Sequence, residues 1–142
     1  MNRLSIALVV SLAALGACQK QEPPAETQRD VTKAQADKKQ DVAAAQAEAT
    51  KDRADAQREV AAEQAQGDPG GTADARKDMA QTDADNQYKV TMERVEGDYK
   101  VAKEQCDAQP AAQQGACKDG AKATYDSAKA EAERVRDATK PK

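Results

Sequence analysis

The chain has 142 residues, 22 of them Lys or Arg and 25 Asp or Glu, with a formal net charge of -3 and a mean hydropathy of -0.93. Every Leu and the single Ile (Leu4, Ile6, Leu8, Leu12, Leu15) lie in the first fifteen positions; the 125 residues from Cys18 onward hold no Leu, Ile, Phe, Trp or His. The larger apolar side chains there are seven Val, two Met and three Tyr, far below the roughly 20% Leu+Ile+Val+Phe of ordinary packed cores. That excludes a globular enzyme with a sizeable core, a sheet-based fold and a mature transmembrane span, and leaves long polar helices with thin seams and partial disorder.

The first element, residues 1–17, reads as a secretory signal. Arg3 supplies the positive start, and the apolar run Leu4 to Leu15 is twelve residues long, too short for the ~20 that cross a bilayer core. The run ends in Leu15-Gly16-Ala17-Cys18, which resembles the lipobox of bacterial lipoproteins. The resemblance implies cleavage before Cys18 and acylation of its thiol and new amino group, an anchor far firmer than one acyl chain. Gln19 rather than Asp follows the Cys, which by resemblance to enterobacterial sorting implies the periplasmic face of the outer membrane. The mature chain then carries 21 basic and 25 acidic residues, interspersed as a solvated surface with no basic footprint for nucleic acid.

Residues 18–30, with Pro23-Pro24, are expected to form the lipidated Cys and a stiff tether. Residues 31–66 are expected to be a polar helix built on an eleven-residue repeat: VTKAQADKKQD, VAAAQAEATKD and RADAQREVAAE. Ala-Gln recurs at the fourth and fifth positions, and an acid at the seventh and eleventh. Eleven residues in three turns is close to the relaxed α-helix, so the stripe Val31, Ala34, Lys38, Val42, Ala45, Ala49, Arg53, Ala56, Val60 runs almost straight. Lys38 and Arg53 interrupt it, and local pairs such as Glu48 with Lys51 and Asp55 with Arg58 are expected to support the helix. The repeat is similar to those of late embryogenesis abundant proteins, which implies protection on drying or at membranes; the bland reading is an Ala-rich spacer.

Gly67-Asp68-Pro69-Gly70-Gly71 breaks the pattern, giving a hinge over 67–72 and a cap at Thr72. A helical hairpin is expected over 73–139, one helix to about Asp107, a loop marked by Pro110 and Gly115, and a second helix from about Lys118; residues 140–142 are a tail. Two stripes of helical spacing agree in one antiparallel register: Ala84, Tyr88, Met92, Val95, Tyr99, Ala102, Cys106 and Cys117, Ala121, Tyr125, Ala128, Ala132, Val135, Thr139. Tyr99 then meets Tyr125, Val95 meets Ala128, Met92 meets Ala132 and Tyr88 meets Val135, large against small except at the tyrosine pair.

Cys106 and Cys117 stand where these helices leave and enter the loop. In an oxidising compartment they are expected to form a disulfide, worth roughly 3 kcal/mol for so short a loop. Two thiolates without His are short of ligands for a metal, and the spacing is not the Cys-X-X-Cys of a redox pair. The segment from Tyr99 to Tyr125 also resembles an uncharacterised proteobacterial group labelled as Tol-type cell-envelope biogenesis proteins, a resemblance that implies no activity.

The fold class read from the sequence is therefore all-α: a long Ala-rich helix with eleven-residue repeats, a Gly/Pro hinge and a disulfide-stapled antiparallel helical hairpin. Without His, a phosphate loop or a pocket-forming core, no catalytic residue, cofactor, metal or small-molecule substrate is implied. The expected role is a lipid-anchored periplasmic spacer or interaction module, its first helix holding the hairpin away from the leaflet. Self-association and docking to another helical envelope protein are the expected partnerships. The alternatives are a desiccation protectant and, since the chain resembles the murein lipoprotein in its lipid Cys, Ala-rich helices and Lys142, a link to peptidoglycan; Pro141 and the lack of a heptad depart from that pattern.

Overall fold

A computed structural model describes residues 23–140; the expected signal segment 1–17, the expected acylation site Cys18, residues 19–22 and the final two residues lie outside the described residues. Ala, Gln, Lys, Arg and Glu, all strong helix formers, carry the chain through α1 (Pro24–Gln66), α2 (Pro69–Asp107) and α3 (Ala111–Thr139). Only Pro23, Gly67, Asp68, residues 108–110 and Lys140 among the described residues are non-helical.

The helix ends differ from the sequence expectation in one direction: each helix starts earlier. Pro24 sits in the first turn of α1, where its missing N–H is an orphan in any case and its fixed φ suits the helix. The tether expected over 18–30 is thus helical from Pro24 on. Gly67 ends α1 in the left-handed region (φ 72°), its N–H donating to the Gln64 carbonyl, a conformation glycine adopts without steric cost. Asp68 caps α2 by accepting from the Gly70 N–H at 2.9 Å, and Thr72, the expected cap, donates back to the Asp68 carbonyl at 2.8 Å. The hinge expected over 67–72 is therefore a two-residue break, and 69–72 are the first turn of α2.

The second connection is shorter than expected as well. Helix α3 begins at Ala111, directly after Pro110, so Gly115 and Cys117 lie inside it. Gln114 turns back and donates to the Asp107 and Gln109 carbonyls at 3.1 and 3.0 Å, satisfying acceptors that the end of α2 leaves open.

Helix α2 lies between the other two: α1 packs on one side of it, α3 on the other, and α1 does not reach α3. The result is a flat layer three helices wide. Its buried residues are small: Ala45, Ala75, Ala84, Gly97, Cys106 and Ala132, with Thr27. At 1.5 Å per residue the 43 residues of α1 span about 65 Å. This length does not hold the hairpin at a distance, because α1 folds back along α2. Pro24, Thr27 and Val31 share a groove with Gln105 and Gln109, so α1 starts at the loop end of the hairpin. Thr139 shares a groove with Ala84; beyond that level only α1 and α2 continue, for about 20 Å, to the turn at Gly67.

Candidate functional site

The chemistry of this layer is concentrated on the two sides of α2. On the α3 side the expected register holds. Cys106 and Cys117 form a disulfide with their Cα atoms 5.5 Å apart, and Cys106, 2% exposed, is the most deeply buried side chain among the described residues. Two turns above, the Tyr99 and Tyr125 rings lie tilted with centroids 5.0 Å apart, inside the range at which aromatic pairs add to simple burial. Val95 and Ala128 line the next stretch of the seam together, and Ala132 is buried while Met92 is half-buried. Lys118 Nζ pairs with Asp107 at 2.5 Å across the loop end.

At Tyr88 a contact is added that the register did not include. The face of Tyr88 is covered by Arg136, its guanidinium carbon 4.6 Å from the ring centroid. Val135 lines the same groove but stays 37% exposed. A planar guanidinium stacks on an aromatic face while keeping its edge hydrated, which Val cannot do. Lys103 likewise lies 5.6 Å from the Tyr99 ring.

On the α1 side, charges do the positioning. The almost straight, Ala-rich stripe from Val31 to Val60 faces α2, and the two basic residues that interrupt it, Lys38 and Arg53, are its cross-links. Lys38 lays its stem over Gly97 and pairs with Asp98; a Cβ on Gly97 would stand 2.7 Å from Lys38 Cβ. Arg53 donates two hydrogen bonds to Asp83, at 3.0 and 2.9 Å, and these hold its guanidinium above its ordinary pKa. Lys89 donates to Glu48 at 2.5 Å and is raised by that hydrogen bond, and Lys100 lies 3.9 Å from Asp41. Of the local pairs expected on α1, Asp55 with Arg58 forms at 2.7 Å. Glu48 instead reaches across to α2, and Lys51 pairs with Asp55 at 3.1 Å, which lowers the Asp55 carboxyl.

Sequence reasoning missed these cross-helix pairs, although a signal exists. Lys38 and Arg53 are fifteen residues apart, and so are Asp83 and Asp98. Equal spacing of opposite charges on two helices joined by a tight turn marks an antiparallel register. The grooves along the α3 seam are open troughs: about 280 Å³ beside Tyr99 and Tyr125 and about 240 Å³ beside Tyr88. No helix among the described residues is long and apolar enough to cross a membrane, and no group of three His, Cys, Asp or Glu among them is placed to hold a metal ion. No family model matches the chain, and no curated protein or solved structure is detectably similar to it.

Proposed function

We propose that the protein is a non-catalytic, lipid-anchored helical spacer and interaction module on the periplasmic face of the outer membrane, anchored at Cys18. The observation that carries this reading is the placement of α1. It starts six residues after Cys18 and runs unbroken for 43 residues, with its first turn beside the disulfide-stapled end of the hairpin. An acylated Cys18 would put the staple next to the leaflet and the Gly67 turn farthest from it. The rod then presents its two faces over about 65 Å of periplasmic depth. An oxidising compartment also suits a disulfide.

The test is expression of the full chain in a Gram-negative host fed labelled palmitate. Label in the protein and recovery with outer-membrane vesicles, both lost in Cys18→Ser, are the expected results. A soluble, unlabelled wild-type chain would remove the anchor. Far-UV circular dichroism separates the spacer from the protectant alternative: the spacer is helical in dilute buffer, whereas a protectant gains helix only on drying.

A further inference from the structure

The flat layer has two unlike faces. The groove between α1 and α2 and the groove between α2 and α3 share Gln87 and Thr91, so both open on the same side of α2. On that side α1 contributes Gln28, Gln46 and Thr50, and the helical period adds Gln35, Gln57 and Gln64 to the same row. Helix α2 adds Ala84, Gln87, Thr91, Ala102 and Gln105, and α3 adds Thr124, Ser127 and Ala128. The acids on this face are Asp83, Asp98 and Glu131, each in an ion pair, with Arg53, Lys38 and Arg134. Arg94 lines the same groove as Gln87 and Thr91, and the helical period adds Lys39 and Arg76, so the net charge of this face is basic.

The opposite face is where the repeat's acids fall. Asp30, Asp37, Asp41, Glu48, Asp55 and Glu59 line up along α1. Asp85, Lys89, Glu93, Glu96 and Lys100 lie along α2. The bridges Lys89–Glu48 and Lys100–Asp41 mark this as one surface. Along α1 and α2 its acids outnumber its bases.

From this division we infer that the Gln/Thr/Ala face is the contact surface for a second copy of this chain, in a two-fold dimer that leaves the acidic faces outward. Three arguments select that occupant. Turning the acidic face onto its own copy would bring unbalanced like charges together, whereas the acids of the amide face are already held in ion pairs within the chain and the rest of that face is largely amide, hydroxyl and methyl. Glutamine amides are both donors and acceptors, so a row of them can satisfy an identical row turned through a two-fold axis, and such a contact closes at two copies. The area suffices: three helices with axes ~9 Å apart over the ~44 Å of α3 give a face of roughly 1,200 Å², above the ~800 Å² per partner of a standard interface. The inference deepens the interaction-module reading and rests on it.

The experiment is sedimentation of the full chain in mild detergent, with protein mass separated from detergent mass, over a range of concentrations. A mass rising to twice the monomer is expected. The double variant Thr91→Glu, Ser127→Glu puts like charges together on the inferred face and should weaken dimerisation by about tenfold or more. Glu96→Lys on the opposite face should leave it unchanged, and circular dichroism checks that each variant keeps its helix content. A monomer at every concentration, a ladder beyond two copies, or a dimer broken by Glu96→Lys but not by the double variant would overturn the inference. Palmitate labelling at Cys18 is independent of all these outcomes, so loss of the dimer and loss of the anchor are told apart.

Discussion

Helix α2 has two seams, and they are held by different physics. Toward α3 it offers Tyr88, Val95, Tyr99 and Cys106, closed by a covalent bond and an aromatic pair. Toward α1 it offers Asp83, Lys89, Gly97 and Asp98, closed by ion pairs and one close approach of backbone to a lysine stem. The contrast teaches that a chain almost without large apolar residues builds two interfaces by two separate devices. One constrains the unfolded chain and buries rings; the other matches charges along a register fixed by a two-residue turn.

Removing the staple should produce the largest difference between the seams. Cys106→Ser with Cys117→Ser, or reduction, is expected to cost about 3 kcal/mol by the loop-closure estimate. Hydrogen exchange should show α3 losing protection while the α1–α2 segment nearest Gly67 keeps its own. Equal loss along all three helices would mean that the layer folds as one unit. Tyr99→Ala, which removes one ring of the pair at 5.0 Å, should cost about 2 kcal/mol for a half-buried aromatic. Urea denaturation would read it, with the disulfide intact.

The α1 seam is broken by adding a side chain. Gly97→Val would force its branched group into the Lys38 stem, and overpacking of this kind costs about 1–3 kcal/mol. The expected signature is a lower urea midpoint with faster exchange in α1 and unchanged exchange in α3. Salt and pH give the smallest effects, because these ion pairs are exposed and screened. Lys89 is raised above 10.5 by its bond to Glu48, so its contribution is complete below that value and is lost as pH rises through the folded-state value. Asp55 and Glu131 are lowered by Lys51 and Arg134; their contributions are present above the ordinary carboxylate range and fade as pH falls through the lowered values. Thermal melts across pH should therefore show a broad plateau with shallow shoulders. A steep midpoint loss confined to one limb would mean that the α1 seam depends on a single pair.

The α3 seam was legible in the sequence because apolar periodicity recorded it twice, once in each helix, and two stripes that agree leave one register. The disulfide followed from the same register. The α1 seam was not legible, because Lys38 and Arg53 break an apolar stripe when the stripe is read alone, and their partners lie sixty and thirty residues away. The helix starts were misjudged for a related reason. In the sequence Pro24 and Pro110 read as marks of irregular chain, whereas a proline at or just before the first turn costs a helix nothing. Likewise Gly115 costs α3 only propensity.

The level at which α3 stops makes height and closure separable in this architecture. Beyond Arg53 and Asp83 the rod is only α1 and α2, and α1 repeats every eleven residues. Inserting eleven residues into α1 past Arg53, with eleven into α2 before Asp83, would restore the phase of every seam after three turns and lengthen the rod by about 16 Å. The stapled base would not register the change. Related chains could thus differ in reach by whole repeats while sharing one base, much as a telescoping mast is extended without touching its foot.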